Sequence, residues 1–169
     1  MKNTIKVFVL VALTLAAMSV SAQVKLGHIE TQKLIQAMPE WTAAQKTFEE
    51  EQKKVNTELN SLREQFQTKL AEYSEKMKTY SEAMRATTEE ELQGLQQRIQ
   101  RFQETAMAQL EKTQNDLMQP VMEKALNAIK EVGKESGFTY IFDMNAGILY
   151  AAENSQDVLP LVKKKLGLQ

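Results

Sequence analysis

The sequence of 169 residues contains no cysteine, one histidine, one tryptophan and three prolines. Without cysteine the chain has no disulfide, no thiol nucleophile and no cysteine-ligated zinc. Because His28 is the single histidine, one chain cannot form a two-histidine metal site, and a Ser-His-Asp triad would have to use this residue. A glycine-rich phosphate-binding loop is also missing. We therefore expect no enzyme activity, no metal and no cofactor.

An excess of charge of one sign is missing as well. The chain carries 21 basic and 22 acidic residues, a net charge of −1. Proteins that bind nucleic acid usually present a strongly basic surface. The composition therefore argues against a nucleic-acid partner.

Long hydrophobic runs are limited to one short stretch at the N-terminus. Lys2 and Lys6 precede an apolar run over residues 7–17, and small residues lead up to Ala22. This order is typical of a secretory signal peptide, and the run is shorter than the ~20 residues that a transmembrane helix needs. We expect residues 1–22 to be a signal peptide cleaved after Ala22, leaving a mature chain with a net charge of −3.

Two stripes of apolar residues at helical spacing occupy most of the remaining chain. Each step in either stripe is three or four residues, and the mean is about 3.6, the period of a straight helix. The first stripe contains Trp41, Ala44, Phe48, Gln52, Val55, Leu59, Leu62, Phe66, Leu70, Tyr73, Met77, Tyr80 and Met84. The second contains Leu92, Leu95, Ile99, Phe102, Ala106, Leu110, Thr113, Leu117, Val121, Ala125, Ala128 and Val132. Two stripes of nearly equal length with a short connection predict a long antiparallel helical hairpin.

Residue preferences at helix ends place the boundaries of this hairpin. Pro39 suits the first turn of a helix. Thr88 and Glu91 fit a capping box, which places the start of the second helix near Glu89. We therefore predict an arm over residues 39–118 with its tip near residues 85–88, and an end of the second helix between Gly133 and Gly137.

The sequence on both sides of the arm predicts a small body, formed by residues 23–38 and 119–169. Residues 24–30 are expected to form a strand, and residues 31–38 a short helix capped by Thr31. Residues 140–143 and 148–151 are rich in β-branched and aromatic side chains, with turn residues between them, which predicts a β-hairpin. A final helix is expected from about Pro160 to Leu166, with Gly167 ending it.

The apolar face of the second long helix widens after Leu117. A second apolar row, formed by Met118, Met122, Leu126 and Ile129, lies beside the first. The wider face indicates either a contact between subunits or packing on the chain's own strands. Pro120 lies where the face widens and lacks the N–H of an interior helical hydrogen bond, so we expect a kink there at the junction of arm and body.

Several segments in this order resemble the Skp family of OmpH-like periplasmic chaperones. They are residues 24–29 (VKLGHI), 38–41 (MPEW), 119–121 (QPV), 138–143 (FTYIFD) and 147–150 (GILY), together with the signal peptide. The resemblance implies a predominantly α, α+β fold in which a coiled-coil-like hairpin arm projects from a small β-rich oligomerisation body. It further implies a jellyfish-like homotrimer in the periplasm that encloses unfolded outer-membrane proteins without ATP and prevents their aggregation.

This resemblance assigns expected roles to particular side chains. Met77, Tyr80, Met84 and Met107 are candidates for contact with clients. The first three lie on the stripe assigned to packing inside the hairpin, so Met107, beside that of the second helix, is the better candidate. The candidates for the trimeric body are Val24, Leu26, Met118, Met122, Leu126, Ile129, Tyr140, Phe142, Ile148 and Tyr150.

The charge of the arm departs from the family pattern. The best-known members carry basic arms, whereas residues 39–118 contain 11 basic and 15 acidic residues, a net charge of −4. We therefore carry over no lipopolysaccharide site, and the charge gives little support for contact with a membrane surface.

One other function remains open from the sequence, a periplasmic helical-hairpin adaptor or spacer in a secretion or envelope assembly. Such proteins usually join the hairpin to larger β-domains or to a lipid anchor, and no cysteine follows Ala22 to carry a lipid. A cytosolic prefoldin-like hairpin chaperone is excluded if the signal peptide is real.

Overall fold

The computed structural model describes residues 24–168. Its elements are β1 (Leu26–Ile29), α1 (Thr31–Gln36), α2 (Pro39–Lys76), α3 (Glu82–Glu135), β2 (Tyr140–Asp143), β3 (Gln156–Asp157) and α4 (Leu159–Lys165). Helices α2 and α3 form a long antiparallel hairpin beside a small body that contains the strands, so the predicted fold class is confirmed. The predicted signal peptide lies outside the described residues.

The hairpin is held together by the two predicted stripes, but the first stripe lies on α2 only as far as Tyr73. Met77 and Tyr80 fall in the turn and Met84 lies on α3, so the prediction that they continue the first helix is wrong. Helix α2 has 38 residues and α3 has 54, lengths of about 57 and 81 Å at ~1.5 Å per residue. Pro39 occupies the first turn of α2, as expected. Ala44 and Leu62 on α2, and Leu92 and Ala106 on α3, are buried along the arm. Apolar packing between the two helices therefore supports the part of the arm that lies away from the core of the body.

The predicted tip near residues 85–88 is wrong, because the chain turns at residues 77–81. Ser81 is the N-cap of α3, and its hydroxyl accepts a hydrogen bond from the Met84 N–H at 3.3 Å. Thr88, the expected cap, lies inside α3, where its hydroxyl donates to the Met84 carbonyl at 2.8 Å. Thr87 donates in the same way to Ala83 at 3.1 Å. A threonine that bonds the preceding turn can remain within a helix, so it need not mark a boundary.

Three polar contacts mark the register of the two helices. Lys69 pairs with Glu91, the Tyr73 hydroxyl donates to Glu89, and Lys124 pairs with Glu40 at the base of the arm. The midpoints of these pairs are residues 80, 81 and 82, which agrees with the observed turn. The predicted tip would shift every partner across the hairpin by about eleven residues, or three helical turns.

The sheet has the order β2-β1-β3, and both neighbours run parallel to β1. The predicted β-hairpin is therefore wrong, since residues 148–151 form no strand and β1 lies between β2 and β3. Two parallel neighbours of one strand cannot be joined by a tight hairpin turn. The turn itself is present, with the Ala146 N–H donating to the Asp143 carbonyl at 3.0 Å and Gly147 at a φ of 87°.

The core of the body draws on three parts of the chain. It combines Ile29, Leu34, Ile35 and Met38 with Val121, Ala125, Ala128 and Val132 of α3, and with Val158 and Val162 near the C-terminus. Gly27 is required by close packing, because a Cβ at this position would lie 2.8 Å from Cε1 of Phe138 and 2.9 Å from Cγ1 of Val158.

The C-terminal end of α3 shows how this helix is joined to the body. Helix α3 ends after Glu135 with Gly137 at a φ of 69°, and the Phe138 N–H donates to the Gly133 carbonyl at 2.9 Å. Gly137 therefore ends α3, whereas Gly133 lies within it. The Lys25 ammonium donates to the Ser136 carbonyl at 2.8 Å, a favourable contact at a helix C-terminus.

At the start of α1 the predicted cap by Thr31 is wrong. Glu30 is the N-cap residue and makes no side-chain capping bond, and Thr31 is the first helical residue. The Asp143 carboxylate accepts from the Thr31 N–H at 3.3 Å instead. A side chain of strand β2 therefore accepts a hydrogen bond from an N–H at the start of α1, for which the neighbouring sequence supplies no side-chain acceptor.

The last helix matches its prediction, with Pro160 in its first turn and Gly167 at a φ of 70° after it. Helix α3 continues through Pro120, one residue before the buried Val121. The kink and the arm-body junction at Pro120 stay predictions. Among residues 24–168, no helix combines the length and apolar character needed to cross a membrane.

Candidate functional site

The outer face of the sheet carries exposed apolar side chains. Leu26 faces Tyr140 in the register of β1 and β2, and their side chains are 51% and 60% exposed. Phe142 lies on the same face and stacks on Tyr140, with ring centroids 6.1 Å apart. Val24 is also exposed. Alternation along the strands directs these side chains away from the core, so they form one continuous apolar surface.

The loop between β2 and β3 adds to the exposed apolar surface of the body. Leu149 is 100% exposed and Tyr150 is 81% exposed, while Ile148 is half-buried. A soluble monomer rarely exposes such large side chains together, since apolar surface in water is unfavourable. These residues are candidates for contact with another chain.

The second apolar row of α3 divides into two pairs. Met118 and Ile129 are half-buried and pack against the body core, as the intramolecular alternative anticipates. Met122 and Leu126 are 40% and 44% exposed, which leaves them available to a neighbouring chain. Their role in subunit contact stays a prediction.

The four predicted client-contacting residues lie in two places on the arm. Met77 follows the end of α2, Met84 lies in the first turn of α3, and both are exposed at the tip. Tyr80 is half-buried beside Tyr73, with ring centroids 6.3 Å apart. Met107 is 73% exposed in the middle of α3. The structure therefore brings three of the four together at the tip and leaves Met107 separate.

Polar contacts along the arm are confined to its surface. The hydrogen bond to Glu89 raises the pKa of Tyr73, because loss of the phenolic proton would place two negative charges together. At the base of the arm, the hydrogen bond from Lys124 lowers the pKa of Glu40. Surface pairs of this kind contribute little to stability, and here they mark which residues of the two helices face each other.

A groove on one face of the hairpin was not anticipated from the sequence. Ser61, Gln65 and Thr68 of α2 form one wall, and Gly94 and Leu95 of α3 form the other. The groove is open to solvent along its length and has a volume of about 790 Å³. Its available sequence signal was Gly94, a glycine that lies between Leu92 and Leu95 of the second apolar stripe. The polar wall carries no periodic signal that distinguishes it from an ordinary solvated helix face.

Residues 24–168 contain no cluster of three or more His, Asp or Glu side chains placed to hold a metal ion. Nδ1 of His28 lies 3.2 Å from Oγ of Ser155 on the surface of the body. The exposed apolar surfaces and the groove are suited to binding macromolecules.

The comparisons with known proteins agree with this interpretation. The model of the family Outer membrane protein (OmpH-like) matches residues 25–166. A crystal structure of a proposed outer membrane chaperone (OmpH-like) from Caulobacter crescentus CB15 superposes with a TM-score of 0.75 at 16% sequence identity. The match covers 85% of this chain and 83% of that chain. No curated protein matches by sequence.

Proposed function

Since this chain belongs to the OmpH-like family, we propose that it is an ATP-independent periplasmic holdase chaperone. In this proposal three chains join through their bodies, and their hairpin arms enclose unfolded outer-membrane proteins before membrane insertion. The arms prevent aggregation by keeping each client apart from other clients. Release requires only that the client find a more stable fold.

The length of the hairpin relative to the small body is the observation that carries this proposal. From Glu40 to Tyr80 the arm extends roughly 60 Å at ~1.5 Å per residue. Unfolded β-barrel chains expose apolar residues and unpaired strand edges, which associate with one another. Long arms can separate such chains by many weak contacts, whose combined avidity is high although each contact exchanges rapidly.

The exposed apolar surface of the body supports the proposed trimer. Leu149, Tyr150, Tyr140 and Leu26 are each more than half exposed in a single chain. Strands β2 and β3 are also the two edges of the sheet, each with one side open to a further strand. Association of the bodies would cover both features and orient the arms in one direction.

The proposed periplasmic location depends on the predicted signal peptide over residues 1–22. The absence of cysteine is compatible with that compartment, because the fold needs no redox chemistry. The proposed client class follows from the same location, since outer-membrane proteins cross the periplasm unfolded.

Light scattering tests the holdase function directly. An unfolded outer-membrane β-barrel protein is diluted from urea into nucleotide-free buffer that contains the mature chain, Gln23 to Gln169. We expect scattering to be suppressed at about one trimer per client, and an unrelated soluble protein at equal mass concentration serves as the control. Unchanged scattering would refute the holdase function and favour a static adaptor.

Analytical ultracentrifugation of the same sample tests the assembly. We expect a species with three times the mass of the mature chain, and a 1:1 complex of that trimer with the client. A monomeric chain at the concentrations that suppress scattering would rule out enclosure by three arms.

A further inference from the structure

A glycine in the middle of the arm has no structural requirement in the chain itself. Gly94 lies within the 54-residue helix α3, and glycine is the poorest helix former apart from proline. Its φ is not positive, and a Cβ placed on it would have no neighbour within 4 Å. Neither the backbone conformation nor the packing of the hairpin therefore explains the glycine.

The position of Gly94 is informative because it lies in the groove between α2 and α3. The side chain that any other residue would carry would enter this open space. On α2 the groove extends from Ser61 to Glu72, a rise of about 16 Å. An extended chain covers that length with about five residues at ~3.3 Å each.

The chemistry of the groove favours an extended chain over a helix. Ser61, Gln65 and Thr68 carry hydroxyl and amide groups that both donate and accept hydrogen bonds. An unfolded segment has unpaired N–H and C=O groups that match them, whereas the backbone groups of a helix are already paired. Leu95 adds an apolar contact for one side chain of the segment.

The charges around the groove nearly cancel. Lys69 pairs with Glu91 across the hairpin, and Arg98 offsets one of the two remaining carboxylates, Glu64 and Glu72. A groove with little net charge places no strong demand on the charge of its occupant. It is therefore suited to many different client sequences, which share only their backbone.

We propose that this groove, with Gly94 in its wall, is a client-binding site that holds an extended segment of about five residues against α3. The proposal rests on the holdase function and identifies the face of the arm that meets the client. Glycine at this position allows the client backbone to approach the helix more closely than any side chain would permit.

Moving the glycine by two residues provides a matched test. Gln96 is exposed and lies about 200° around α3 from Gly94, on the other side of the helix. The variants are Gly94→Gln, Gln96→Gly and the double exchange, which preserves the composition of the helix. Each is compared with the wild-type chain by thermal unfolding and by the concentration that halves the scattering of an aggregating outer-membrane protein.

Helix propensity and groove access make opposite predictions for these variants. Gly94→Gln should raise the melting temperature and yet require about fivefold more chaperone, equivalent to ~1 kcal/mol in binding. Gln96→Gly should lower the melting temperature and leave the required concentration unchanged. The double exchange should melt near the wild type and bind as weakly as Gly94→Gln.

The outcomes separate this inference from the holdase function. If the wild type suppresses aggregation and the double exchange suppresses it equally well, the groove site is refuted and the holdase function stands. If the wild type fails to suppress aggregation, the holdase function itself is refuted. A loss of activity in Gln96→Gly alone would show that helix stability, and not the groove, controls client binding.

Discussion

At the scale of single residues, Asp143 links three parts of the body. Its carboxylate accepts hydrogen bonds from the Thr31 N–H at 3.3 Å, the Asn145 N–H at 3.0 Å and the Asn145 side-chain amide at 3.2 Å. Burial acts to raise the pKa of Asp143, but the hydrogen bonds from Asn145 and Thr31 outweigh it and leave the pKa lowered. The charged form is therefore the one that the folded body prefers.

This preference predicts how stability depends on pH. Because the folded-state pKa is lowered, the contribution of Asp143 is complete above its unfolded value of about 3.9 and is lost as the pH falls through the folded value. We expect Asp143→Asn to reduce the free energy of unfolding by about 1 kcal/mol at pH 7. Thermal unfolding of both proteins from pH 7 to pH 3 measures the difference.

The difference between the two proteins should shrink below about pH 4, as Asp143 becomes protonated in the wild type. Glu104→Gln, a change at an exposed carboxylate on the arm, is the matched control and should have little effect at either pH. A difference between Asp143→Asn and the wild type that is the same at pH 7 and pH 3 would contradict the role of the charge.

At the scale of elements, the N-cap at Ser81 defines the tip of the arm. We expect Ser81→Ala to cost about 1 kcal/mol locally, because the Met84 N–H loses its acceptor. The effect should appear as faster hydrogen exchange at the first amides of α3, since fraying at a helix end opens only that end. Mass spectrometry of exchanged peptides that cover residues 82–88 measures it.

Thr88→Ala provides the comparison for this prediction. Thr88 lies inside α3 and donates to the Met84 carbonyl, and alanine is the better helix former. Its replacement should therefore leave exchange in the first turn unchanged or slower. Faster exchange in Thr88→Ala with no change in Ser81→Ala would restore the tip at residues 85–88.

The elements also show what the sequence pattern can and cannot predict. The period of the stripes predicts two helices and their buried faces, because every apolar side chain at that spacing lies on one side. The period does not predict the register of the two helices. If one helix slips by about eleven residues, or three turns, the same apolar face still packs against the other helix. The cross-helix pairs, such as Lys69 with Glu91, mark the register and carry no periodic signal.

The wrong β-hairpin has a different physical cause. Residues 140–143 and 148–151 have suitable propensities and a turn between them, but propensity is local and pairing is not. β1, more than 100 residues earlier in the chain, takes the place beside β2.

The groove at Gly94 was missed for a further reason. The sequence of a polar helix face does not indicate which residues lie opposite it.

At the scale of the whole molecule, the acidic arm predicts how client binding responds to salt. Its net charge of −4 should repel acidic clients weakly and cannot attract them. Between roughly 0.01 and 0.1 M ionic strength the Debye length falls from about 30 to about 10 Å. Over this range we expect client affinity to stay constant or to rise.

Fluorescence titration of a labelled acidic outer-membrane protein at several salt concentrations measures this dependence. A basic-armed member of the family is the reference and should lose affinity as salt is added. A steep loss for the present chain would show that its binding is dominated by attraction between opposite charges.

The central position of β1 has a consequence for how the chain reaches its native state. Lys25 bonds Ser136 across 111 residues, and Thr31 bonds Asp143 across 112. Closing a flexible loop of that length costs about 4 kcal/mol of chain entropy. Once the hairpin has formed, Met38 and Val121 meet at its base, and only short connections remain to be closed. The hairpin therefore brings together the two segments that precede and follow it in the chain, and these two segments form the body.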